Sequence, residues 1–162
     1  MSTLIMEPRF PETPASDPTV LQLLETILRG QRSGVLGSCF MEIPLCSQMA
    51  FAVTEDLRDL IVVTPRSSTK YDNMINNPNV SFLVSTVSNR PEDISQAQAV
   101  TATAFATELD GERRHEAVNL YSAKHPDLRA FAMSTTNAVM ELRVDTFAVV
   151  RNFQEVIRVP RG

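Results

Sequence analysis

Six short runs of strand character, with no repeating alternation of strand and long helix, set the main limit on how this 162-residue chain can fold. The runs are "SGVLGSCF" from Ser33, "SQMAFAV" from Ser47, "LIVVT" from Leu60, "NVSFLVST" from Asn79, "AVTATAFAT" from Ala99 and "VMELRVDTFAVV" from Val139. Parallel neighbours need a crossover of a dozen residues or more, usually a helix. A chain without such units pairs its strands mostly antiparallel, with short helices between them. "LIVVT" is apolar throughout, as expected of a strand covered on both faces. In "AVTATAFAT", Val100, Ala102, Ala104 and Ala106 fall on one face, and Thr101, Thr103, Phe105 and Thr107 on the other. In the last run Met140, Leu142 and Val144 alternate with Glu141, Arg143 and Asp145. The expected class is therefore mainly β, with Pro44 breaking the chain between the first two strands.

The clearest helix is "DPTVLQLLETILRG". Asp17 can cap its free N–H groups, and Pro18 suits the first helical position because its missing donor is not needed there. Val20, Leu21, Leu24, Ile27 and Leu28 share one face. Arg29 suits the negative end, and Gly30 is expected to close it with positive φ. "GERRHEAVNLYSAKH" is a second helix, capped by Asp110, with Ala117, Val118 and Tyr121 inward; "PDLRAFAM" adds a further turn or two. "SNRPEDISQAQ" over 88–98 is the longest interior loop, long enough to act as a lid. Residues 1–16, with Pro8, Pro11 and Pro14, read as an extended arm, and 17–162 as one domain.

Apolar content of 43% with 21% charged residues belongs to a folded globular chain, and a net charge of −4 argues against nonspecific binding to nucleic acid or an anionic membrane. The start "MSTLIMEPRF" lacks a secretion signal, and no run approaches the roughly 18 apolar residues of a membrane span, so a cytoplasmic protein is expected. Cys39 and Cys46 then read as reduced, half-buried thiols. His115 and His125 lack metal-ligand spacing, and no metal is expected. His115 reads as a surface residue, forming with Glu112 a solvated pair.

The stretch "TPRSSTKYDN" carries the most chemistry. Thr64, before a proline, is held extended and ends its strand. Ser67 or Ser68 can cap a helix running to about Asn77, where Pro78 stops it, with Tyr71, Met74 and Ile75 on its apolar face. Lys70 in the first turn and Arg66 just before it are misplaced by roughly 0.3–1 kcal/mol at a helix end that is already positive. Asp72 offsets them only in part. Two readings fit: a solvated cap with surface cations, or an anion site in which N–H groups, hydroxyls and cations meet a phosphate. It is not a Walker loop, since it lacks the glycines.

The order strand, "VVT", basic and hydroxyl-rich turn, "TK", short helix, "NNPNVSFLV" resembles the FMN-binding split barrel of the pyridoxamine 5'-phosphate oxidase-like superfamily over residues 35–109. That resemblance implies a six-stranded antiparallel split barrel and a homodimer with two FMN molecules at the subunit interface. It implies that Ser68, Thr69 and Lys70 hold the FMN phosphate with Arg66 nearby, and that Val63 and Thr64 line the flavin. Gln48, Met49, Ala50 and Phe51 match the strand whose backbone runs along the ring, and Gln98 a glutamine reaching it from the partner subunit. The chain departs from true pyridoxamine-phosphate oxidases: Gln48 and Val53 stand where those place basic residues, and it has no Trp. An FMN-dependent oxidoreductase acting on a small acceptor is the leading expectation. The alternatives are a non-catalytic flavin or haem carrier or sensor, with His125 as the haem-side residue, and an empty barrel acting as an interaction module.

Overall fold

The computed structural model describes residues 17–152 and 155–162; the expected arm over 1–16 lies outside them. In chain order the elements are α1 (Pro18–Gly30), β1 (Ser33–Phe40), β2 (Ile43–Ala50), β3 (Ala52–Val53), β4 (Asp59–Pro65), α2 (Thr69–Asn76) and β5 (Asn79–Ser85). There follow α3 (Asp93–Gln96), β6 (Ala99–Glu108), α4 (Gly111–Lys124), a 3-10 turn (Pro126–Leu128), α5 (Arg129–Met133), β7 (Asn137–Arg151) and β8 (Glu155–Pro160). All strands join one sheet, in the order β2-β1-β5-β6-β7-β4-β3, with β8 on β7. Every pairing is antiparallel.

The sheet closes on itself because one strand serves both of its ends. β2 pairs with β1 up to Ala50, Phe51 breaks the run, and β3 continues onto β4 through Ala52–Ile61 and Val53–Leu60. This accounts for one of the two strands beyond the six expected. The other is β8, which the chain ending gave no reason to expect; Ile157 and Val159 bury its inner face.

The sequence expectation placed a break at Pro44, but β2 begins at Ile43 and runs through it. Among the described residues only β1 lies beside β2 at that point, so a residue without an N–H donor sacrifices no ladder bond there on the other side. The hairpin turn is instead Met41–Glu42, with φ of 49° and 64°.

Two apolar clusters sandwich β4. Inside the barrel, Leu60 and Val62 pack with Leu36, Phe51, Phe82, Met140 and Leu142, and α1 plugs the assembly with Val20, Leu24, Ile27 and Leu28. Outside, Ile61 and Val63 pack under Ala117, Val118 and Tyr121 of α4 and Ala132 of α5. β4 is thus buried on both faces, as its composition implies, and β6 divides its faces as the alternation predicts. The β7 alternation holds to Val144 and then changes phase. A bulge opposite Thr103/Ala104 lets Phe147 and Val149 point inward instead of the even-numbered residues.

Four helix details differ from expectation. Asp110 stands at the N-cap position of α4, but its side chain makes no capping hydrogen bond. Leu21 stays 36% exposed at the edge of the α1 face. Gly30 does not take positive φ; α1 ends at Gln31, an extended residue whose N–H reaches the Ile27 carbonyl. In α2, Asn73 replaces Ile75 on the buried face, because its amide donates to the buried Ser38 hydroxyl at 3.0 Å while Ile75 is exposed. Among the described residues no helix is long and apolar enough to cross a membrane.

Candidate functional site

Because β3 carries the chain from β1 over to β4, the end of β2 comes to lie against the end of β4. A pocket of about 230 Å³ opens there, lined by Gln48, Met49 and Ala50, by Val63, Thr64 and Pro65, and by Lys70 of α2. Tyr121, Leu128 and Phe131 complete the wall from α4, the 3-10 turn and α5. Gln48 is oriented by its amide, which donates to the Ser33 hydroxyl at 2.8 Å.

The turn after β4 is fixed from several sides. Ser68 is the N-cap of α2, extended at ψ 147°, and its Oγ accepts from the Tyr71 N–H at 3.2 Å. The buried Thr64 hydroxyl meets the Ser68 hydroxyl at 2.8 Å. The Arg66 N–H donates to the Thr136 carbonyl at 3.2 Å and ties the turn to the segment entering β7. The first N–H groups of α2, those of Thr69 and Lys70, have no acceptor within the helix. Lys70 is half-buried on the pocket wall, and among the described residues its ammonium has no hydrogen-bond or ion-pair partner.

Arg66 is differently placed. Its Nε donates to Glu108 Oε1 at 2.8 Å, its second terminal nitrogen pairs with the same carboxylate, and its other nitrogen donates to the Thr135 carbonyl at 2.6 Å. Glu108 Oε2 accepts from the Tyr71 hydroxyl at 2.7 Å. Burial works against the charged form of Glu108, but the Tyr71 and Arg66 hydrogen bonds outweigh it and hold the carboxyl below its ordinary range. The same carboxylate, helped by burial, pushes the Tyr71 hydroxyl up, and it raises Arg66 further.

Arg66 and Ser68 are not among the residues lining the pocket, and the other predicted residues also lie apart from its wall. The Phe51 side chain is core, packed edge-on against Phe82 at 5.2 Å between centroids, so only its backbone is in line with the neighbouring pocket residues. Thr69 is exposed at the first position of α2. Gln98 sits at the base of the 88–98 loop, where backbone and hydroxyl bonds with Thr86 close the β5–β6 connection. That loop holds itself together through Asp93, whose carboxylate accepts from the Ser88 and Arg90 N–H groups. His115 is exposed on α4, whereas His125 is buried, its Nε2 bonded to the Phe51 carbonyl at 2.8 Å. Beside it, Lys124 donates to the Leu28 carbonyl at 3.0 Å and stands 4.0 Å over the Phe51 ring. Burial, then Arg32 and Arg29, lower its pKa to about 8.

Cys39 is half-buried and Cys46 exposed, rather than both half-buried; they are unbridged and line an open cleft of about 810 Å³ on the outer face of the sheet. Sequence reasoning missed Glu108, Leu128 and Phe131. Tyr121 was legible as an inward residue of α4 but not as a pocket wall.

No protein-family model and no curated protein sequence matches the chain. Solved structures do. A heme binding protein from Mycobacterium smegmatis superposes with a TM-score of 0.79 at 15% identity, over 88% of this chain and 58% of that one. This chain therefore spans under three fifths of that protein's length. A FAD-binding protein from Mesorhizobium loti matches with a TM-score of 0.63 at 14% identity, over 79% of this chain and 91% of that one. A protein from Listeria innocua described as a candidate pyridoxamine 5'-phosphate oxidase matches at 0.60 and 18%, over 82% and 95%. The chain has the split-barrel fold that these proteins share.

Proposed function

We propose that this chain, folded as the split barrel of these flavin- and haem-binding proteins, binds FMN in the pocket between β2 and β4. On this reading it acts as an FMN-dependent oxidoreductase on a small acceptor. The observation that carries the reading is Lys70: a cation that, among the described residues, has no partner, on the wall of a pocket whose other side is the apolar and amide-bearing edge of β2. Lys70, Ser68, Thr69 and the first N–H groups of α2 hold the phosphate, with Arg66 beside them. Gln48, Met49, Ala50, the Phe51 backbone, Val63 and Thr64 line the ring. The flavin, when bound, supplies the redox chemistry; the chain binds it, orients it and limits access to it.

A pocket of about 230 Å³ is smaller than most sites for a ligand of this size, which favours a second subunit as its other wall. Leu83 and Phe105, 40% and 43% exposed on the outward face of the sheet, are in keeping with a homodimer. In the dimer Gln98 reaches the ring from the partner subunit.

Haem is the second reading, favoured by the M. smegmatis heme binding protein. The placement of both histidines weighs against it, since His125 is committed to the Phe51 carbonyl and His115 is exposed away from the pocket. The test is the chromophore of the purified protein. A yellow protein that releases FMN on denaturation, identified by mass, is the expected result. A Soret band would move the assignment to haem. Failure to take up either from excess ligand would leave the interaction module.

A further inference from the structure

We infer that Glu108 sets the net charge of the basic turn, and thereby how strongly the site separates a phosphorylated flavin from its unphosphorylated parent. This rests on the pocket being a flavin-phosphate site. Two cations flank the turn, and they are in opposite states. Lys70 lines the pocket with no partner among the described residues, whereas all three guanidinium nitrogens of Arg66 are engaged, two by Glu108 and one by the Thr135 carbonyl.

The carboxylate also takes the Tyr71 hydroxyl, from the first turn of the same helix that presents Lys70. Glu108 therefore sits beside both ends of the turn and cancels the charge of Arg66 where it stands. Asp72, exposed in that first turn, is the other acidic group nearby. The phosphate end is left with Lys70 and the helix N–H groups as its attraction for an anion. Glu108 is 42 residues from Arg66 and outside the pocket wall, so its influence is electrostatic and positional.

A glutamine at 108 keeps an acceptor for Arg66 and a hydrogen-bonding partner for Tyr71, while removing one negative charge. The experiment titrates the whole chain with FMN and with riboflavin, following flavin fluorescence, at low and at high salt. Glu108→Gln should tighten FMN about two- to fivefold at low salt, the range of partly exposed charge interactions, and leave riboflavin unchanged. The gain should shrink as salt screens it.

The double variant Arg66→Gln with Glu108→Gln restores the original net charge and should return FMN affinity to near the unsubstituted value. If both ligands change alike in Glu108→Gln, or neither changes, Glu108 is merely structural and the inference is overturned. If the double variant falls severalfold below the unsubstituted chain for FMN alone, Arg66 touches the phosphate itself, which also overturns it. Unsubstituted protein that binds FMN and riboflavin equally would refute the phosphate reading, and is distinguished by needing no variant at all.

Discussion

Substituting alanine for glycine at three positions separates close approach of strands from ordinary backbone freedom. At Gly34, a built Cβ would lie 2.4 Å from the Phe82 ring and 2.6 Å from the Leu83 carbonyl. The carbonyl belongs to the β5 backbone, against which β1 is paired at Val35–Leu83 and Leu36–Phe82. Reaching ordinary contact near 3.4 Å requires the two strands to separate locally by about 0.8 Å. Overpacking of this kind costs about 1–3 kcal/mol, offset by about 0.4–1 kcal/mol from the stiffer unfolded chain. The net, about 1–2 kcal/mol, lowers Tm by roughly 2–8 °C in a domain of this size.

Gly37→Ala should be milder, because its Cβ would meet chiefly the Ser81 hydroxyl, a side-chain end that can rotate away. Gly30→Ala should stabilise, since nothing among the described residues lies within 4 Å and its φ is not in the left-handed region. Thermal unfolding followed by circular dichroism ranks the three. A Gly34→Ala protein as stable as the original would refute the strand spacing, and a destabilised Gly30→Ala would refute the helical ending of α1.

Other expectations concern buried polar groups. The Lys124 pKa is lowered to about 8, so between about pH 8 and 10 the unfolded chain holds more protons and stability rises with pH, by about 1 kcal/mol after allowing for its solvent access. Lys124→Met should abolish that rise in urea unfolding curves; an unchanged slope would contradict the burial of the ammonium. His125→Ala strips the Phe51 carbonyl of its partner and should cost about 1–3 kcal/mol, while leaving any bound chromophore's spectrum unaltered. A spectral change would implicate His125 in ligand binding.

The fold was legible where one physical cause dominated. β4 betrayed its double burial because all of Leu60 to Val63 are apolar, and β6 its two faces because Ala and Val alternate with Thr. A hydroxyl cap at Ser67 or Ser68 was legible ahead of α2, and the structure places it at Ser68. The β1–β2 turn was not, because Met41 and Glu42 adopt positive φ where chains usually place Asn or Gly, so the turn left no composition signal. The bulge in β7 coincides with a change of phase in the apolar pattern, from even to odd positions between Val144 and Phe147. Around the pocket, only the family resemblance joins Gln48, Met49 and Ala50 to Thr64 and Lys70, and no signal in the chain points to Glu108. Lys70, Ser68 and Thr64 announce themselves within one decapeptide, but the Arg66–Glu108 pair joins residues 42 apart. Nothing in the local pattern of either reveals that the arginine is occupied.

In the proposed site Lys70 is the phosphate-end cation. Titration of the unsubstituted chain and of Lys70→Ala with FMN and with riboflavin tests it. FMN should bind about tenfold or more tightly than riboflavin to the unsubstituted chain, as expected of charge-assisted contacts of about 1.5–3 kcal/mol. Lys70→Ala should remove most of that difference without weakening riboflavin. Equal losses for both ligands, or no preference for FMN at the outset, would contradict the assignment of this turn as a phosphate site.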